Sequence, residues 1–295
     1  RRVLFRSPER KGLVLSIHGM GGNIGDACAP LVIGALLTVL TWREIVMINV
    51  VPGVFMAIMI LAFLGTLRIA KATTGNDFSK DEGRKQSFAK YVQGLKSLVT
   101  DRGVNMLLIG SAFRNMTQSA LLTFLPVYLA YEMGYSPWAV GIWMFALQLA
   151  GFTAAPIAGH LSDKMGPRRV VMSSLGMSGV VLLGMAFAGK THGFVLLIAL
   201  LGFFLYAVRA VLQAWMLDSA PKNMGGTAIG VMFGVQALGA AVAPGLGGLI
   251  ADTYGLITAF YFMAITIIIA NRSEEHTSEL QSHLNLVCRL LLEKK

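Results

Sequence analysis

Eight apolar stretches, each about long enough to cross a lipid bilayer, constrain the fold of this chain more than any other feature. A segment in hydrocarbon must satisfy its backbone polar groups internally, which favours helices at these lengths. The predicted spans are Gly12–Leu40, Ile45–Leu67, Val104–Tyr131, Trp138–His160, Val170–Ala188, Phe194–Leu217, Thr227–Ala251 and a short, truncated Ile257–Ala270. The predicted fold is an all-α, polytopic transmembrane helical bundle.

Both ends of the chain resemble translated sequencing adapters rather than natural protein. Residues 1–7 read R-R-V-L-F-R-S, and residues 272–295 begin with R-S-E-E-H-T-S-E-L-Q-S-H. Segments of this kind carry no fold information. We therefore expect the natural sequence to run from Pro8 to Asn271; the alternative for the second segment is a genuine amphipathic tail.

Composition supports a membrane protein and argues against several other classes. Only 14% of the residues are charged, against roughly 25% in soluble domains. The positive charges lie in loops rather than on one face, so we predict no nucleic-acid partner. Of the two cysteines, Cys288 falls in the adapter-like segment and leaves Cys28 alone. We find no metal cluster, phosphate-binding loop or catalytic triad, and predict no enzyme, no cofactor and no metal.

The distribution of Lys and Arg predicts the orientation of the chain. The loops on one side, including a polar linker over residues 68–103, carry fourteen basic residues, and the loops on the other side carry two. Because basic loops stay in the cytoplasm, the linker is predicted to be cytoplasmic. Its second half has apolar residues at helical spacing from Phe88 to Val99, which fits either a helix on the membrane surface or a solvated linker helix.

An internal repeat relates the first span to the seventh. A shift of 214 residues places Gly25 on Gly239, Pro30 on Pro244 and Gly34 on Gly248. Repeated halves about a central loop are the organisation of many secondary transporters.

A charged turn between the fourth and fifth spans reads G-H-L-S-D-K-M-G-P-R-R. It resembles the loop signature of the major facilitator superfamily, the twelve-helix transporters built from two six-helix halves; an ordinary charged turn is the alternative. The positions that match are Gly159, Leu161, Asp163, Gly166, Arg168 and Arg169. The resemblance implies a cytoplasmic gating loop. Glycines there permit a tight reversal, and Asp163 can cap the next helix or pair with the arginines.

Helix seven carries glycines and a proline that are similar to the family's antiporter motif. The motif positions are Gly230, Gly239, Pro244, Gly247 and Gly248, with a weaker copy at Gly25, Pro30 and Gly34 in helix one. In the family the motif belongs to the fifth helix, which corresponds to helix one here. The better match to the motif therefore lies in the other half of the transporter. A role in helix packing that has no bearing on the direction of transport is an equal alternative.

Polar side chains within the spans are the candidates for substrate binding or coupling, because intramembrane charges usually face a cavity or a partner. They are Asp26, Arg114, Asn115, Gln118, Gln148, Arg209, Gln213 and Gln236. The spans hold two basic side chains, Arg114 and Arg209, and one acid, Asp26. This excess of positive charge predicts either a cavity that attracts anions or a structural pair between Asp26 and an arginine. The resemblance also matches Arg209 and Gln213 to a buried arginine motif.

The resemblance implies a secondary transporter of a small solute that works by alternating access, coupled to protons, in efflux or organic-anion transport. Residues 8–67 would be the last two helices of the first half, 68–103 the linker and 104–271 the second half, giving about eight of twelve helices. We expect a monomer in the bacterial inner membrane. The alternative is a non-transporting membrane sensor or assembly protein with this fold.

Overall fold

The computed structural model describes residues 11–72, 100–191, 193–220 and 224–273, with side chains of the first segment from 24 to 63. These residues form eight α-helices and no β-strand, which confirms the all-α prediction. The helices are α1 (Lys11–Leu36), α2 (Trp42–Ala72), α3 (Arg102–Val127), α4 (Pro137–Met165), α5 (Pro167–Ala188), α6 (Gly193–Ser219), α7 (Gly225–Tyr254) and α8 (Thr258–Ser273). A five-residue π-helix, Tyr128–Glu132, continues α3. The predicted linker helix over Phe88–Val99 lies outside the described residues.

Two helix ends differ from the predicted ones, one because polar residues continue the helix and one because a turn ends it early. Helix α4 extends five residues past His160 to Met165, and Gly166 ends it. Helix α1 instead ends at Leu36, four residues before the predicted end, in a turn that Thr38 closes by donating its hydroxyl to the Ala35 carbonyl. Apolar runs therefore locate the helices, while caps and turns set their ends.

Side chains that cap helices fix where two of the segments begin. The Asp101 carboxylate accepts a hydrogen bond of 3.0 Å from the Val104 amide at the start of α3. Ser136 caps α4 in the same way, followed by Pro137 in the first helical position. Both arrangements satisfy amides that a helix leaves unpaired at its N-terminus.

Five of the described helices are long and apolar enough to cross a membrane: α2, α4, α5, α6 and α7. The apolar parts of α1 and α8 in the described residues are shorter. Helix α3 has 26 residues but carries Arg114, Asn115 and Gln118 in its middle, which lowers its hydropathy. Within a bundle, such polar side chains are held on a face that other helices cover.

Helix packing divides the bundle into a central group and its edges. Helix α6 contacts α4 and α5, and α1 lies along α4 and also contacts α6. Helix α3 pairs mainly with α7. By contrast, α2 exposes most of its apolar side chains, Met47 and Leu61 among them, as a helix facing lipid does.

Candidate functional site

A cleft of about 480 Å³ lies between α1, α3 and α4. Its walls are mostly apolar and include Ile33, Leu37, Leu122, Val140 and Met144. Asp26, Gln118 and Gln148 add polar groups, one from each helix. Concave, mostly apolar sites with a few convergent polar groups are typical of small-molecule binding. Three of the predicted site residues are thus brought together.

The polar residues of the cleft differ in how they are held. Gln148 is buried, and its Nε2 donates a long hydrogen bond of 3.5 Å to the backbone carbonyl of Asp26. The Asp26 side chain is exposed, and Gln118 is half-buried. Among the described residues that line the cleft, Asp26 is the acid, and its role in coupling remains a prediction. The alternative of an Asp26–Arg pair is not formed among the described residues, where the salt bridge observed joins Lys190 to Glu132 at 2.7 Å.

Arg114 is fully buried on α3 and does not line the cleft. Its Nη2 donates a hydrogen bond of 3.0 Å to the Leu205 carbonyl on α6. The guanidinium thus links two helices of the predicted second half. A role of Arg114 in binding substrate remains a prediction.

Tyr206 is a candidate residue that the sequence analysis did not identify. It lies on α6 and is buried, with the Gln118 side chain next to its hydroxyl and Arg114 and Asp26 within electrostatic range. The hydroxyl makes no hydrogen bond of standard geometry in the described residues. Its position within an apolar helix, one turn before Arg209, is the signal that could have found it.

The other predicted polar residues lie away from the cleft. The Asn115 side chain donates a hydrogen bond of 2.9 Å to the Gln236 carbonyl, and Ser119 donates one to the Ala240 carbonyl, so both bind α3 to α7. Arg209 is exposed and Gln213 half-buried on α6, and neither lines the cleft. Across the described part of the chain, no group of three or more His, Cys, Asp or Glu could hold a metal.

Comparison with known families agrees with this helical architecture. The family model of the Major Facilitator Superfamily matches residues 4–153 and also residues 107–271, which together cover most of the chain. The chain belongs to the Major Facilitator Superfamily. The first match begins at residue 4, inside the first adapter-like segment, and the second ends at Asn271, directly before the other one.

Part of the chain is similar to two curated relatives. The chain is 34% identical over 166 residues to the multidrug resistance protein MdtG of Yersinia enterocolitica. The aligned region covers 54% of this chain and 38% of that protein. The chain is 33% identical over 169 residues to MdtG of Escherichia coli O1:K1, covering 55% and 39% respectively. The chain thus matches about two-fifths of the length of these relatives.

A solved structure has a fold similar to that of this chain. A crystal structure of a bacterial homologue of the iron transporter ferroportin, in an outward-facing state, aligns with a TM-score of 0.54 and 18% identity. The alignment covers 63% of this chain and 47% of the other. At this identity the likeness concerns the fold alone.

The superfamily loop signature forms a tight junction between α4 and α5. Gly166 has a positive φ of 88°, and its amide donates to the Ser162 carbonyl at the end of α4. Pro167 then begins α5. Gly159 is buried, whereas Asp163 and Arg169 are exposed and Arg168 is half-buried. The reversal that the glycine was predicted to permit is present; a gating role remains a prediction.

The antiporter-like glycines fall into two groups. A Cβ at Gly239 would lie 2.6 Å from the Ala112 carbonyl oxygen, and one at Gly247 would collide with the Phe124 ring, so these positions allow α7 to approach α3. Gly25, Gly230 and Gly248 have no atom within 4 Å of such a Cβ. Helix packing therefore explains part of the motif.

Proposed function

We propose that the chain is part of a secondary active transporter that exports an amphipathic solute by alternating access, with Asp26 carrying the coupled proton. The observation that carries the proposal is the cleft between three helices. Its lining combines the exposed Asp26 carboxylate, the amides of Gln118 and Gln148, and apolar walls. A single acid in such a site can exchange a proton for a solute. Membership of the superfamily supports transport over the alternatives of an enzyme or a sensor.

The charge and polarity of the cleft favour a neutral or cationic amphipathic solute. Among the described residues its lining holds one acid, no Arg or Lys, and largely apolar side chains. Arg114, which favoured an organic anion in the sequence, is turned toward the Leu205 carbonyl instead. The relatives named as multidrug resistance proteins support export of such solutes.

The proposed domain arrangement places the cleft between two halves of the transporter. Residues 8–67 would supply the end of the first half, 68–103 the linker and 104–271 the second half. Helix α1 would then pack across the boundary against α4 and α6. Rocking of one half against the other would open and close a site at this boundary.

The proposed setting is the bacterial inner membrane, with the 68–103 linker in the cytoplasm. The excess of Lys and Arg in the loops on the linker side supports this orientation. Protons and a small solute would be the partners of a monomeric transporter in its bilayer.

Transport by the complete transporter containing this chain tests the proposal. In proteoliposomes with a pH gradient, movement of rhodamine 6G, an apolar cation, should slow at least about tenfold in Asp26→Asn, which removes the charge and keeps the shape. Asp252→Asn, at an exposed position near the end of α7, is the matched control and should transport normally. Gradient-driven transport that persists in Asp26→Asn would contradict the role of Asp26. Movement of carboxyfluorescein but not rhodamine would contradict the solute class.

A further inference from the structure

The interface between α3 and α6 contains two buried polar atoms that make no hydrogen bond of standard geometry in the described residues. They are the Nε of Arg114 and the hydroxyl oxygen of Tyr206, in side chains only 1% and 6% exposed. An unpaired buried donor costs about 1–3 kcal/mol, and a charged one costs more. Since most buried polar groups bind protein, water or a ligand, each such atom indicates a possible binding site.

These two atoms belong to one patch of the helix interface. Arg114 and Gln118 lie one turn apart on α3 and face Leu205 and Tyr206, which are adjacent on α6. Arg114 donates to the Leu205 carbonyl at 3.0 Å, while the Gln118 side chain interacts with the Tyr206 hydroxyl without reaching the geometry of a standard hydrogen bond. Arg114 and Tyr206 also interact electrostatically. The patch therefore lies directly behind Gln118, a residue of the cleft.

The charge of this patch is positive. No carboxylate of the described residues lies within salt-bridge distance of Arg114, and Arg209, one turn beyond Leu205, adds a second positive charge in electrostatic range. Asp26 acts on Tyr206 from the cleft side. A water molecule would satisfy a donor but would leave the buried guanidinium charge uncompensated, and such a charge is costly.

We propose that Arg114 and Tyr206 form a binding site for a monovalent anion in the α3–α6 interface, separate from the cleft that receives the transported solute. Arg114 supplies the charge and its Nε–H, and Tyr206 donates its hydroxyl. The anion has two possible sources: a halide from solution, or a carboxylate group that reaches the site past Gln118. The site does not depend on the direction or coupling of transport.

Thermal unfolding of the whole chain in phosphatidylcholine nanodiscs tests this site, with tryptophan fluorescence as the signal. Sodium bromide or sodium acetate replaces sodium methanesulfonate, a bulkier monovalent anion that is neither a halide nor a carboxylate, at constant ionic strength. A ligand at about a hundred times its Kd should raise Tm by roughly 5 °C, with a saturable dependence on concentration. A rise with bromide alone identifies a halide site, and a rise with acetate identifies a carboxylate site.

Two variants and their controls separate binding from general salt effects. Tyr206→Phe keeps the ring and removes the donor, and should shift the midpoint of the titration at least about tenfold. Arg114→Gln should abolish the rise. Tyr131→Phe, on an 83% exposed side chain, and Arg43→Gln, also exposed, should titrate like wild type. If Arg114→Gln does not fold, Tyr206→Phe decides. An absent rise in wild type, or a Tyr206→Phe titration equal to that of Tyr131→Phe, overturns the site.

Discussion

Gly34 on α1 and Gly141 on α4 meet backbone to backbone. A Cβ at Gly34 would lie 3.0 Å from the Cα of Gly141, and a Cβ at Gly141 would lie 3.2 Å from the Cα of Gly34. Each would also come within 2.8 Å of a backbone carbonyl oxygen, that of Pro137 or Pro30. Only glycine at both positions permits this approach, which keeps α1 packed against α4 where both helices line the cleft.

Alanine at Gly141 should therefore separate α1 from α4. Because the clashing atoms are backbone, the helices must move, and we expect a loss of about 1–3 kcal/mol in stability. Gly25→Ala, where a Cβ has no neighbour within 4 Å, is the control and should be neutral or slightly stabilising. Thermal unfolding in nanodiscs measures both variants. Equal Tm values for the two would show that α1 and α4 are not packed this closely.

The two groups of antiporter-like glycines should respond differently to the same substitution. Gly239→Ala places a Cβ against the Ala112 backbone of α3 and should destabilise the chain by about 1–3 kcal/mol. Gly230→Ala and Gly248→Ala meet open space and should leave Tm within about 2 °C of wild type. A transport defect in the stable Gly248→Ala variant of the complete transporter would instead assign that glycine a role beyond packing.

Gly166→Ala should weaken the junction between α4 and α5. The backbone there has φ 88° and ψ 148°, a region that is essentially restricted to glycine. We expect a loss of about 1–3 kcal/mol in stability. Gly226→Ala, in a helix with no neighbouring atom, serves as the comparison. If both substitutions leave the unfolding curve unchanged, the junction does not have this conformation.

Thr117 and Thr266 connect α3 to α8 through their buried hydroxyl groups, which lie 2.8 Å apart. Replacing either residue with Val removes one partner and should cost about 1 kcal/mol. The double variant should cost less than the sum of the single variants, because the shared bond is lost only once. Unfolding free energies of the four proteins give the coupling energy. Strict additivity would mean that the bond contributes nothing.

Much of the fold could be predicted from the sequence, because apolar runs of bilayer length have few structures available to them. Helix ends were harder to predict, since α4 continues to Met165 through exposed polar residues such as Asp163 and Lys164. In the site, Asp26, Gln118 and Gln148 were identifiable because a polar residue in an apolar helix needs a cavity or a partner. The hydrogen bond from Arg114 to the Leu205 carbonyl could not be predicted, because every residue has a backbone carbonyl and the sequence does not show which one accepts. The contact between Gly34 and Gly141 likewise depends on how two helices cross.

Protection of a cysteine placed in the wall of the cleft between α1, α3 and α4 tests whether the solute binds there. In a chain with Cys28→Ser and Cys288→Ser, Val140→Cys lines the cleft, while Thr191→Cys lies in an exposed loop outside it. We predict that saturating rhodamine 6G slows maleimide labelling of Val140→Cys about tenfold or more and leaves Thr191→Cys unchanged. Equal labelling rates for Val140→Cys with and without the cation would show that the cleft does not bind it.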